Sequence, residues 1–254
     1  MISFFVFLLA SMIGSFLNVC IHRIPSGQSV AFPASHCPQC GTAIRPWDNI
    51  PIISYILLRG RCRHCRTRIS PRYPVVEALT GFAGVGVLFA FGIVPHALLL
   101  FAFLCALIVI TFIDIDHQII PDVISLPGIV VGLAASFLPG APTWMDSAIG
   151  VVLGGGILWA IAEGYFRLTG REGMGGGDVK LLAMIGAFLG WRAIPVTLMI
   201  ASLSGTALGV VMMLRAGEGR QMAIPFGPFL AVGAVVALFA GEPLIEWYLN
   251  FTRP

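Results

Sequence analysis

Apolar runs of bilayer length recur along nearly all of this 254-residue chain, and they leave it few folds to choose from. They fall roughly at 2–21, 75–94, 96–113, 123–138, 147–167, 179–190, 194–214 and 226–241. A hydrocarbon layer offers no water to backbone N–H and C=O groups, so such runs are predicted to be helices. The chain therefore reads as an all-α polytopic membrane protein with about eight transmembrane helices. Composition agrees: 57% of residues are hydrophobic and 11% charged, against about 25% charged in soluble domains. Only Pro95-His96 separates the second and third runs, which predicts a tight hairpin. The sixth run is short and starts in a Gly-rich stretch, so it is expected to be half-buried or partly irregular. Gly128-x3-Gly132, Gly150-x3-Gly154 and Gly205-x3-Gly209 have the small-residue spacing that lets helix backbones approach closely. No internal repeat or low-complexity segment is evident.

Charge sets the orientation. Of the 15 Lys and Arg, 8 lie between Arg23 and Arg72, the longest polar stretch. A net charge of +3 is too small to argue for nucleic acid, and a basic cytoplasmic loop is the better reading. The first run has no basic residue before it and His22-Arg23 after it, so it reads as a retained helix with its N-terminus outside. Alternation puts 23–74, 114–122, 168–178 and 215–225 in the cytoplasm; with Arg167 and Lys180 at their borders, 13 of the 15 basic residues lie on that side, leaving Arg192 and Arg253 outside. Both termini are then periplasmic. Three parts follow: a first helix (1–22), a cytoplasmic loop domain (23–74) and a seven-helix membrane domain (75–254).

The 23–74 loop is too poor in aliphatics for a core of its own. It carries Cys37-Pro-Gln-Cys40 and Cys62-Arg-His-Cys65, two CxxC knuckles separated by 21 residues, the pattern of a zinc-ribbon-like thiolate cage. A structural Zn2+ would staple such a loop, and a reducing cytoplasm disfavours the alternative of two disulfides. His64 sits inside the second knuckle, but four thiolates already close the site. Cys20 and Cys105 lie in apolar runs and read as inert small hydrophobes. Glu77, just inside the second run, reads either as a partner of the helix dipole and a nearby arginine or as a functional acid.

Carboxylates at the borders of apolar runs are expensive unless they have a task. Two stand out: Asp114 in Phe-Ile-Asp114-Ile-Asp116-His117, and Asp178 in Gly175-Gly-Gly-Asp178-Val-Lys180. Delivered to one depth, such a pair can share a proton and divide the acid and base roles of an aspartic protease. Asp116 is about 200° around the helix from Asp114, and Asp122 reads as a helix N-cap or first-turn acid. The three glycines before Asp178 are expected to let the backbone bend and approach the active centre. A phosphate-loop reading fails, because no Gly-Lys-Ser/Thr ending follows.

The chain resembles the bacterial type IV prepilin peptidases, bifunctional leader peptidases and N-methyltransferases. The resemblance rests on Gly14-Ser-Phe-Leu-Asn18-Val, both CxxC knuckles, Ile69-Ser-x-Arg72-Tyr-Pro-x-Val-Glu77, Ile113-Asp-x-Asp-x4-Ile-Pro-Asp122, Gly175-Gly-Gly-Asp178-x-Lys180 and Ile224-Pro-Phe-Gly-Pro228. It implies a catalytic pair at Asp114 and Asp178, and a role in methylation for Gly60 of the Arg59-Gly60-Arg61-Cys62 run. It also implies S-adenosylmethionine as methyl donor, a prepilin or pseudopilin substrate, and an inner-membrane site at the cytoplasmic border. The CxxC loop points to the methylating bacterial branch rather than the shorter archaeal preflagellin relatives. Presenilin-like proteases share the second motif but carry Tyr-Asp at the first, where this chain has Ile113-Asp114. A non-enzymatic zinc-ribbon transporter with proton-relay aspartates is the rival reading, and a methyltransferase without protease activity a weaker third. Neither oligomeric state nor the particular pilin follows from the sequence.

Overall fold

The computed structural model describes residues 1–171, 173–216 and 224–252. Most of the 215–225 loop, and Arg253, lie outside the described residues. All eight apolar runs become helices: α1 (Ile2–Arg23), α3 (Arg72–Phe91), α4 (Pro95–His117), α5 (Asp122–Ala135), α6 (Trp144–Thr169), α7 (Gly176–Leu189), α8 (Ala193–Ala216) and α9 (Gly227–Thr252). A one-turn helix, α2 (Ile53–Leu57), lies in the 23–74 loop after a 3₁₀ turn at Pro46–Asn49. Six of the helices are long and apolar enough to cross a membrane. The other two, α5 and α7, have 14 residues each, about 21 Å, short of the roughly 30 Å hydrocarbon layer. The eight expected spans are thus six long helices and two short ones; the short sixth run is α7, which is a regular helix and fully buried from Leu181 to Phe188 rather than half-buried.

The chain divides into two compact units, Met1–Val109 and Ile110–Pro254, with the boundary inside α4. In the first, α1 and α3 pack antiparallel through small residues. A Cβ on Gly14 would stand 2.7 Å from the Glu77 Cα, and one on Gly84 2.7 Å from the Ala10 Cβ. The Asn18 amide donates to the Tyr73 carbonyl across the pair (3.2 Å).

In the second unit α7 is the hub. Every residue from Leu181 to Phe188 is buried, so the helix is apolar all round and enclosed by its neighbours. The glycine spacings explain how. Gly128 of α5 faces Met184, and Gly132 faces Ala187 and Phe188. Gly150 of α6 meets the backbone of Gly186, and Gly154 that of Leu182. Two small-residue stripes on different helices therefore clamp the same short one. The third, Gly205 and Gly209, makes only ordinary contacts with Phe229 and Ile224.

Candidate active site

Asp114 lies within the last turn of α4 and Asp178 is the third residue of α7. Both carboxyls line one cavity of about 270 Å³, together with Gln118, Ile120, Asp122 and Gly177. Asp114 is 5% exposed and Asp178 half-buried. Asp116, the competitor two residues on, is exposed and is not among the residues lining that cavity.

The chain between α4 and α5 shapes this wall. Gln118 takes a left-handed φ of 54° and its N–H donates to the Asp114 carbonyl (2.9 Å), ending the helix. Pro121 then caps α5, so Asp122 is its first-turn acid rather than its N-cap. Asp122 accepts two bonds from Lys180 Nζ, at 2.7 and 2.8 Å, tying the starts of α5 and α7 together. The glycines before Asp178 serve by close approach rather than by a left-handed bend. None takes a positive φ; Gly175 is an extended N-cap (φ −73°, ψ 144°). What matters is close approach at Gly177, where a Cβ would stand 2.8 Å from the Ile120 Cβ.

One residue of the site went unassigned in the sequence. The Gly227 N–H donates to Asp114 Oδ2 at 3.0 Å. Gly227 opens α9, where N–H groups lack intrahelical partners, and Pro228 beside it has none to offer. Asp114 thus sits against the positive end of the α9 dipole. The signal was legible in Phe226-Gly227-Pro228: a glycine followed by proline at the head of an apolar run.

In the first unit the four cysteines converge. The Sγ atoms of Cys37, Cys40, Cys62 and Cys65 lie within 4.8 Å of one another, and Cys37 and Cys65 are 3.8 Å apart. A tetrahedral Zn–S cage with bonds of about 2.3 Å has edges of about 3.8 Å, so the donor set fits a metal. The knuckles repeat each other at an offset of 25 residues, a repeat too short to notice in the sequence. Cys37 N–H donates to Thr42 O and Cys62 N–H to Thr67 O; Gly41 and Arg66 share a left-handed φ of 67° and 60°. The Thr42 hydroxyl and N–H hold the Cys40 thiol down at about 6, and N–H groups of Cys65 and His64 lower that of Cys62. Both favour the thiolate that a metal needs. At Cys65 a backbone hydrogen bond with Thr67 lowers the thiol, but desolvation and the neighbouring thiols outweigh it and push it up to about 11.

Glu77 is neither exposed nor at the helix tip. It is the sixth residue of α3, 7% exposed, and its Oε2 accepts the Ile52 N–H at 2.7 Å. Gly60 has φ 64°, and a Cβ there would meet the Tyr55 hydroxyl at 2.9 Å. It borders a cavity of about 600 Å³ with Tyr55, Arg59, Arg61, Arg68 and Ile69. No acidic residue lines it among the described residues. S-adenosylmethionine carries a sulfonium and an ammonium against one carboxylate, so three guanidiniums without an acid do not fit it.

Paired aspartates delivered by different helices to one cavity define a class of polytopic membrane proteins built around a carboxyl dyad. Within it the chain belongs to the type IV leader peptidase family, whose model matches residues 101–210, while the model of the Bacterial Peptidase A24 N-terminal domain matches residues 8–91. The chain is similar to a prepilin leader peptidase/N-methyltransferase of Aeromonas hydrophila, 40% identical, covering 96% of this chain and 93% of the relative. Similar proteins of the same name from Pseudomonas aeruginosa (38%, covering 96% and 92%) and Burkholderia pseudomallei (38%, covering 94% and 85%) also match. No solved structure matches the chain.

Proposed function

We propose that this protein is a membrane aspartic endopeptidase that removes the basic leader of a type IV prepilin or pseudopilin and methylates the new N-terminal residue. The observation that carries the peptidase reading is the single cavity shared by Asp114 and Asp178. One carboxylate takes a proton from a water while the other, protonated, donates to the scissile carbonyl. Gly227 fixes the first aspartate through Oδ2, leaving Oδ1 for the water. The Lys180–Asp122 pair and the Gly177–Ile120 contact hold the two walls in register, which matters because catalysis depends on placement. Both aspartates lie within a turn of a helix end, the level at which a substrate leaves the bilayer between its leader and its apolar helix.

Cys37, Cys40, Cys62 and Cys65 hold one Zn2+, which supplies a structural cross-link in a loop that lacks a hydrophobic core. Methylation is supported by family membership and is linked to Gly60 by resemblance; the methyl donor binds elsewhere than the arginine-lined cavity. The site belongs at the cytoplasmic face of the inner membrane, with both termini periplasmic.

The test is leader removal from a prepilin in reconstituted vesicles. Asp114→Asn and Asp178→Asn should each abolish cleavage while leaving the protein membrane-inserted with its metal retained. Cleavage by either variant would remove that residue from the pair, and cleavage by both would end the mechanism.

A further inference from the structure

Residues 46–59 do not behave as part of a water-exposed loop. The Ser15 hydroxyl donates to Asn49 Oδ1 (3.3 Å), and the Ile52 N–H donates to Glu77 Oε2 (2.7 Å). These anchors lie along α1 and α3 rather than at their tips. Glu77 is five residues inside the start of α3, about 7.5 Å, and Ser15 eight residues inside the end of α1, about 12 Å. The charged ends of those helices, His22-Arg23 and Arg72, mark the polar boundary, so the segment reaches below it. At that level the helices themselves present Ile13, Phe16 and Leu79 outward, the side chains expected of a lipid-facing surface.

The segment has a matching outer face. Leu57 is 76% exposed, Ile56 66% and Trp47 60%, with Ile50 and Ile53 exposed beside them. Its inward side is polar and satisfied: the buried Ser54 donates to the Trp47 carbonyl at 3.1 Å. Holding Ile52 at φ 61° is unfavourable for a β-branched residue, and the buried Glu77 carboxyl is what secures it. Arg59, Arg61 and Arg68 follow at once, all exposed and all lining the Gly60 cavity. Apolar side chains at membrane depth, an aromatic at the edge and arginines just above them are the pattern of an interfacial element.

We infer that residues 46–59 are seated in the headgroup layer of the bilayer, with Trp47, Ile53, Ile56 and Leu57 among the upper acyl chains. The cavity of Arg59, Arg61 and Arg68 then binds the phosphate of an anionic phospholipid. Two observations choose lipid over other occupants: the apolar face continues the lipid-facing surface of α1 and α3, and the cavity is cationic with no acid lining it among the described residues. The knuckles are thereby held against the membrane, because Arg63 makes a two-pronged contact with Asp48 (2.6–3.0 Å) inside the segment.

The test uses the full-length protein in nanodiscs of phosphatidylcholine with or without phosphatidylglycerol. A benzophenone amino acid is placed at Leu57, or at Ile56 should that variant fail to fold. Phe82, exposed on α3, is the positive control, and His64 at the knuckle tip the negative one. Photolysis should give phospholipid adducts at Leu57 and Phe82 but not at His64. Loss of adducts at Leu57 and Ile56 with Phe82 still labelled would overturn the seating, as would adducts to a second protein chain. Native mass spectrometry should show phosphatidylglycerol retained over phosphatidylcholine, weakened about fivefold for each of Arg59→Ala, Arg61→Ala and Arg68→Ala. An unchanged preference in the triple variant, with its metal still bound, would overturn the headgroup site. Displacement of the lipid by millimolar inorganic phosphate would also do so, since it would reassign the cavity to a free anion.

Discussion

Replacing Gly227 with alanine should cripple proteolysis while adding only one methyl group. The new Cβ would stand 2.6 Å from Asp114 Oδ2 and 3.2 Å from its Cγ, with Ile120 Cδ1 at 3.3 Å closing the side. Ordinary van der Waals contact begins at about 3.4 Å, so the carboxyl must retreat by about 0.8 Å. Its 3.0 Å bond from the Gly227 N–H is then stretched or lost. A hydrogen bond to a charged group is worth about 2 kcal/mol, which is about a 30-fold loss in rate. Misplacing a reacting group by about an ångström costs up to about 100-fold, so the two routes agree. The assay is single-turnover cleavage of a prepilin in vesicles, with binding measured separately. The rate should fall about 30- to 100-fold with substrate affinity and thermal stability close to the parent's. Gly156→Ala, on a helix position with nothing within 4 Å of the added carbon, is the matched control and should cleave normally. Parent-like cleavage by Gly227→Ala would refute the idea that this N–H positions Asp114.

Other outcomes follow from the same geometry. Purified protein should carry about one zinc, and serine at Cys37 and Cys40, or at Cys62 and Cys65, should lower elemental zinc content and open the loop to protease while the helices stay inserted. Gly60→Ala should reduce methylation more than cleavage, because the strain of φ 64° and the Tyr55 contact fall beside the second knuckle; intact-mass spectra of the processed pilin should lack the methyl group. Equal loss of both activities would instead mark Gly60 as a folding residue. A reporter fused after Arg253 should behave as periplasmic, and metal-stripped Cys37 or Cys62 should react with an impermeant thiol reagent only after the inner membrane is opened. Labelling in sealed cells would reverse the orientation.

Much of this was written in the linear chain because it rests on local chemistry. Hydrocarbon thickness turns apolar length into helices, and all eight runs are helical. CxxC spacing turns four cysteines into one cluster, since each knuckle folds on its own residues. The aspartates were conspicuous because charge beside an apolar run demands an explanation. Tertiary structure alone decided the partnerships. That α7 is enclosed depends on glycines from α5 and α6 meeting it, and a small-residue spacing names no partner. That Gly227 holds Asp114 depends on contact across 113 positions, and Lys180 finds Asp122 across 58. Glu77 looked like a tip residue because sequence counts places along a helix; the Ile52 backbone reaching down to it is a fact about depth, and depth exists only once the chain has folded.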